Sequence, residues 1–127
     1  MMAGPHGGRC LTTTKSNSER EPPIPPGAKL GILVYAPPAA PGFRHAVELA
    51  AAARRRGVAV YFYCLDDAVT GLDDARIAAL AAADVKLFAC AYAAHRRGLP
   101  LTGPALYSGL GMVTDILTAT DRVVGFN

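Results

Sequence analysis

The residues of this chain best suited to chemistry are its three cysteines, Cys10, Cys64 and Cys90. They are odd in number, widely spaced and free of any CxxC pair, so neither a disulfide framework nor a zinc site fits them. Cys90 stands apart by context. It follows the apolar run Val85-Lys86-Leu87-Phe88-Ala89 and precedes the helix-forming run from Ala91 to Arg97. A thiolate, not a thiol, is the nucleophile, and the start of a helix favours it because first-turn N–H groups are unpaired. The same groups can hold an anionic persulfide. The competing reading is a small buried core cysteine, the common fate of a free thiol. Position alone leaves the two open. Cys10 falls in a polar tail and reads as incidental, and Cys64 reads as packing at a strand end.

Few other residues compete for a role. His45 falls in the first turn of a predicted helix, near the strand ends, where it can tune a thiolate. His95 lies five residues after Cys90, so on a helix it points away from it. Tyr35 and Tyr92 sit close enough to strand ends to line a site, against a reading as core. Arg96 and Arg97 can draw an anionic surface, though a place at a helix C-terminus accounts for one of them. Asp66-Asp67 and Asp73-Asp74 read as loop and cap residues. No acid pair or histidine cluster points to metal, and neither GxGxxG nor GxxxxGK[ST] occurs, so no cofactor is expected. Gly109-Leu110-Gly111 is too short to argue for a ligand and suits tight helix packing equally well.

These residues need a scaffold, and the pattern supplies one. Residues 1–28 are rich in Pro, Gly, Ser, Thr and charge, without periodicity, and read as a disordered tail or an added extension. The domain spans 29–127. Lys29 to Tyr35 is a continuous apolar run, as in a strand covered on both faces. Three prolines make 36–42 a loop. A helix follows over 43–56, stopped by Gly57. Strands are expected at 58–64, 85–89 and 123–126, and helices from Asp73 or Asp74 to 82, over 90–97 and over 109–120. The stretches 66–72 and 99–107 read as loops. Strands alternating with helices imply an α/β fold with a mainly parallel sheet and helices on both faces. Sites in such sheets lie beyond the strand C-termini, which is where Cys90 falls.

The 127 residues suit one domain, and the net charge of +3 is mild. Its basic runs, Arg54-Arg55-Arg56 and Arg96-Arg97, end predicted helices rather than forming an aromatic-studded basic face, so direct nucleic-acid binding is not expected. No run reaches the length of a membrane span, and no signal-peptide core is present. A reducing, cytoplasmic setting is the expectation. Much of the apolar content is alanine, which buries little area per residue, so oligomer contacts are expected to add stability.

Two segments resemble the DsrE/TusD family of sulfur-relay proteins. Leu87-Phe88-Ala89-Cys90-Ala91-Tyr92-Ala93-Ala94-His95-Arg96-Arg97-Gly98 is similar to that family's strand, sulfur-accepting cysteine, alanine-rich helix and closing Arg-Arg-Gly. Ser108-Gly109-Leu110-Gly111, with Thr120-Asp121-Arg122-Val123-Val124-Gly125-Phe126, resembles its Ser-Gly-Leu-Gly and terminal Asp-Arg-Val-Val stretches. Phe62-Tyr63 before a turn is a weaker third likeness. The resemblance covers roughly residues 29–127. It implies a DsrE-like, flavodoxin-type three-layer fold. It also implies a sulfurtransferase-type carrier that takes sulfane sulfur as a persulfide on Cys90 and passes it to a partner thiol, in tRNA thiolation or sulfur oxidation. Ser108 and Gly109 join Tyr35, His45 and Tyr92 as residues expected near the site. The implied partners are donor and acceptor proteins of DsrC, TusE or TusA type, in homo-oligomers (trimers or hexamers) or mixed assemblies with sister subunits. The segments 64–84 and 99–107 are shorter than in TusD, which bears on partner choice.

Two rival readings stand beside this one. A non-catalytic subunit or ligand-binding α/β module would use the scaffold without Cys90. Cys90 and Arg96 also meet the C-x5-R spacing of tyrosine phosphatases and some rhodanese loops. That cradle needs a glycine-containing loop that turns its N–H groups inward. Ala91-Tyr92-Ala93-Ala94-His95 favours helix instead.

Overall fold

The computed structural model describes residues 10–14 and 24–127. Six strands form one sheet: β1 (Cys10–Thr14), β2 (Lys29–Val34), β3 (Ala59–Cys64), β4 (Lys86–Cys90), β5 (Leu106–Ser108) and β6 (Arg122–Phe126). They lie in the order β1-β6-β2-β3-β4-β5. The five strands from β2 to β6 are parallel, and β1 adds antiparallel to the outer edge of β6. The helices are α1 (Pro41–Arg55), α2 (Ala75–Ala82), α3 (Ala91–Arg96) and α4 (Gly111–Ala119), with a 3-10 segment over Asp66–Gly71. The α/β fold with a mainly parallel sheet between helices is thus the one the alternation predicts.

Register sorts the residues by face. Gly31 pairs with Tyr61, Leu33 with Tyr63 and Tyr63 with Phe88, so these share one face. Phe88 pairs with Leu106 and Cys90 with Ser108, which brings both pairs to that face too. Phe88 lies parallel to the rings of Tyr61 and Tyr63. Helix α4 lies on this side, close against Gly31: a Cβ there would stand 2.6 Å from Ile116 Cγ2. The opposite face carries Ile32, Val34, Val60, Phe62 and Cys64, all fully buried. Helix α1, which packs on β2 and β3 and against α2, covers them with Phe43, Ala46 and Ala50.

Several boundaries differ from the sequence reading. Helix α1 begins at Pro41, inside the expected loop, because proline at the first helical position lacks only an N–H that would be unpaired anyway. The stretch 66–72 winds into a 3-10 turn. The expected loop 99–107 gives up its end to β5, an edge strand of three residues. The expected disordered tail is corrected at 10–14, where the backbone of a threonine-rich run pairs with the open edge of β6. It is corrected again at 24–28, where Gly27 N–H donates to Gly57 O at 3.0 Å and Ile24 packs on the core. The rest of that tail lies outside the described residues.

Candidate functional site

Cys90 ends β4 and at once caps α3. Its φ of −73° and ψ of 112° are still extended, and the chain turns helical at Ala91. The turn aims the first-turn N–H of Ala93 at the sulfur, with an N···Sγ distance of 3.4 Å. The residue is only 4% exposed. It nevertheless lines an open cavity of about 270 Å³, walled by Tyr35, Leu65, Tyr92, Arg96 and Leu110, with Asp66 and Arg97 beside them. A larger groove of about 360 Å³, bounded by Val69, Leu72, Pro100 and Tyr107 among others, does not include Cys90. Among the described residues, then, the two free cysteines differ sharply. Cys64 is fully buried, and loss of hydration pushes its thiol up to about 12. It faces the opposite side of the sheet.

The two basic residues at the end of α3 are used differently. Arg97 donates to Ala93 O at 3.1 Å and bridges Asp66 and Asp67, fastening the 3-10 segment to the helix end. Arg96 rests over the Tyr92 ring, 5.9 Å from its centroid, and faces solvent on the cavity rim. The C-x5-R spacing does bring Cys90 and Arg96 to one cavity. The residues between them are helical, however, so no loop of inward N–H groups surrounds the sulfur as a phosphate cradle requires.

Tyr63 ties the site to the sheet. Its side chain is fully buried, and its hydroxyl donates to the carbonyls of Gly109, at 3.0 Å, and Ser108, at 3.3 Å. Ser108 Oγ lies 3.5 Å from the same hydroxyl. Burial raises the Tyr63 pKa and the Ser108 hydrogen bond only partly opposes this, so Tyr63 acts as a neutral donor.

Tyr35 and Tyr92 therefore join Cys90, with Tyr92 66% exposed rather than core. Ser108 is its register neighbour on β5, and Gly109 follows. His45 does not reach the cavity; its ring lies beside the Arg44 guanidinium on α1. His95 is exposed, as its spacing predicts. Sequence reasoning missed Leu65, Leu110 and the hydroxyl of Tyr63. Only the Gly-Leu-Gly run gave any sign of the second. Among the described residues no three His, Cys, Asp or Glu side chains gather into a metal site. No helix there is long and apolar enough to cross a membrane.

Comparison with known proteins fixes the architecture. The fold is DsrE-like. It is similar to the crystal structure of the ychN protein from E. coli, with a TM-score of 0.68 over 78% of this chain and 98% of that one. Sequence identity across the match is 20%, so the likeness is one of fold. No family model matches the chain, and no curated protein matches it by sequence.

Proposed function

We propose that this protein carries sulfur as a persulfide on Cys90. The observation that carries the reading is the contrast between its two described free thiols. Cys64 is sealed in the core, whereas Cys90 stands on a cavity wall with a backbone N–H directed at its sulfur. The DsrE-like fold and the sulfur-relay resemblance of residues 87–98 and 108–126 support it.

The chemistry is that of thiol–disulfide exchange. The Cys90 thiolate attacks the outer sulfur of a donor persulfide. A new S–S bond forms, the donor's own S–S bond breaks, and the donor thiolate leaves with that electron pair. The Ala93 N–H donates toward the bound sulfur. A partner thiolate then attacks the outer sulfur of the Cys90 persulfide, and the Cys90 thiolate leaves. One sulfane sulfur moves, no net oxidation occurs, and no cofactor is called for. The donor is a protein persulfide and the acceptor a protein thiol, engaged by an assembly of copies or of sister subunits.

The test is intact-protein mass after incubation with a cysteine desulfurase and cysteine. The native chain should gain one sulfur atom, removable by reductant, and Cys90→Ser should gain none. An equal gain in the variant would take Cys90 out of the mechanism.

A further inference from the structure

The proposed exchange depends on access to Cys90 through the mouth of its cavity. Attack on a sulfur requires the incoming thiolate to line up with the bond that breaks. Cys90 is 4% exposed, and the persulfide would add an atom to a cavity bounded by Leu110. Movement of that rim would widen the approach to the sulfur.

The residues around Leu110 are lightly packed. Gly109 and Gly111 flank it, and each has open space where a Cβ would stand. Neither has a positive φ. The observed arrangement therefore asks for glycine at neither place, and what glycine adds is easy passage to a different one. Leu110 itself is 58% exposed, so little packing holds it. Two backbone bonds tie the segment to the first turn of α4, Met112 N–H to Gly109 O at 3.2 Å and Val113 N–H to Leu110 O at 3.0 Å; on the sheet side its fixed point is Tyr63, whose buried hydroxyl holds the two carbonyls immediately before Leu110.

We propose that Gly109-Leu110-Gly111 is a gate over Cys90 and that Tyr63 is its latch. In the latched form Leu110 narrows the cavity mouth. Release of the Tyr63 hydroxyl from the Ser108 and Gly109 carbonyls lets the segment swing and admits a second sulfur centre in line with Cys90. Tyr63 is a positioning residue and touches no reacting atom. The need for a gate rests on the sulfur-carrier reading, but the gate itself is measurable without sulfur.

The experiment follows modification of Cys90 in the folded full chain by iodoacetamide and by the bulkier N-ethylmaleimide, read by peptide mass, with Cys64 as internal control. Tyr63→Phe should speed modification of Cys90 by about three- to tenfold, the scale of one neutral hydrogen bond, and more for the bulkier reagent. Leu110→Ala, an exposed substitution that leaves the core intact, should speed it and erase the difference between reagents. Gly109→Ala combined with Gly111→Ala should slow it. Unchanged rates in Leu110→Ala and Tyr63→Phe would overturn the gate. So would an equal acceleration at Cys64, which signals opening of the whole domain. Sulfur loading assayed on the same variants separates the two ideas. Gated alkylation without loading sinks the carrier alone, and loading with ungated alkylation sinks the gate alone.

Discussion

Gly31 is the point at which the sheet and α4 come closest, and Gly31→Ala tests that contact. The added Cβ would meet Ile116 Cγ2 at 2.6 Å and Thr120 Oγ1 at 3.3 Å, against ordinary contacts of 3.4–4 Å. Ile116 is 2% exposed and Thr120 is 4% exposed, so neither can swing into solvent. The helix must lift by nearly an ångström, on the order of the shifts seen in overpacked cores. Overpacking of this kind costs about 1–3 kcal/mol, and the reduced freedom of the unfolded chain returns about 0.4–1 kcal/mol. The net loss is about 1–2 kcal/mol, which lowers the melting temperature by roughly 4–15 °C in a domain near this size. Urea and thermal denaturation measure it directly. Ile116→Ala removes the clashing methyl, so the double variant should be less destabilised than the sum of the singles, by about 1 kcal/mol. A neutral or stabilising Gly31→Ala, or strict additivity, would refute the close approach of α4 to the sheet.

Three further predictions concern other parts of the fold. Asp74 caps α2 by accepting from Arg76 N–H at 2.9 Å, and its hydrogen bonds and pairing with Arg76 hold its carboxyl down at about 2. A depressed carboxylate contributes stability above its unfolded pKa and loses it as pH falls from about 4 through about 2. Solvent screens the pair, so Asp74→Asn, which keeps a capping side chain, should cost about 0.5–1 kcal/mol at neutral pH and flatten the acid limb of a urea-midpoint profile. An unchanged acid limb would remove the carboxylate from that role. Cys64, with its pKa at about 12, carries about a thousandfold less thiolate than an unperturbed thiol, and its burial adds to this. It should remain unalkylated in folded protein while Cys90 reacts, and labelling of both at one rate would contradict the burial. Arg97→Ala should free the Asp66–Gly71 segment, seen as faster amide exchange there and no change in β2. Equal exchange in both proteins would show that the bridge does not fasten the segment.

Much of the sheet was legible because its strands are buried on both faces. In β2 and β3, Leu30, Ile32, Val34, Val60 and Phe62 are buried on one face and Leu33 and Tyr63 on the other, so the apolar run is not broken by a solvent face there. Cys90 was legible for a related reason: an apolar strand running without a loop into alanine-rich helix leaves one residue at the junction. The elements that were missed are those fixed by long-range pairing. The run Cys10–Thr14 gains its order from the edge of β6, more than a hundred residues away in sequence, and β5 gains its own from β4. Leu110 and the Tyr63 hydroxyl were invisible for the same reason, since Tyr63 and Gly109 are 46 residues apart in sequence. His45 was misplaced because nearness to a strand end says nothing about which strand end.

If Cys90 carries sulfur as proposed, the sheet also decides where that sulfur could go. Cys64 pairs in register with Ala89, and Cys90 falls on the next position and therefore on the other face. Cys10 lies on β1, four strands from β4, roughly 19 Å away at the usual strand spacing and far beyond the reach of a disulfide. No thiol of the same chain can therefore attack a persulfide on Cys90, close it into an internal disulfide and release the sulfur as sulfide. A persulfide on Cys90 would have no internal discharge route. It would persist until a thiol from another molecule arrived, so the sheet that builds the site would also make delivery intermolecular.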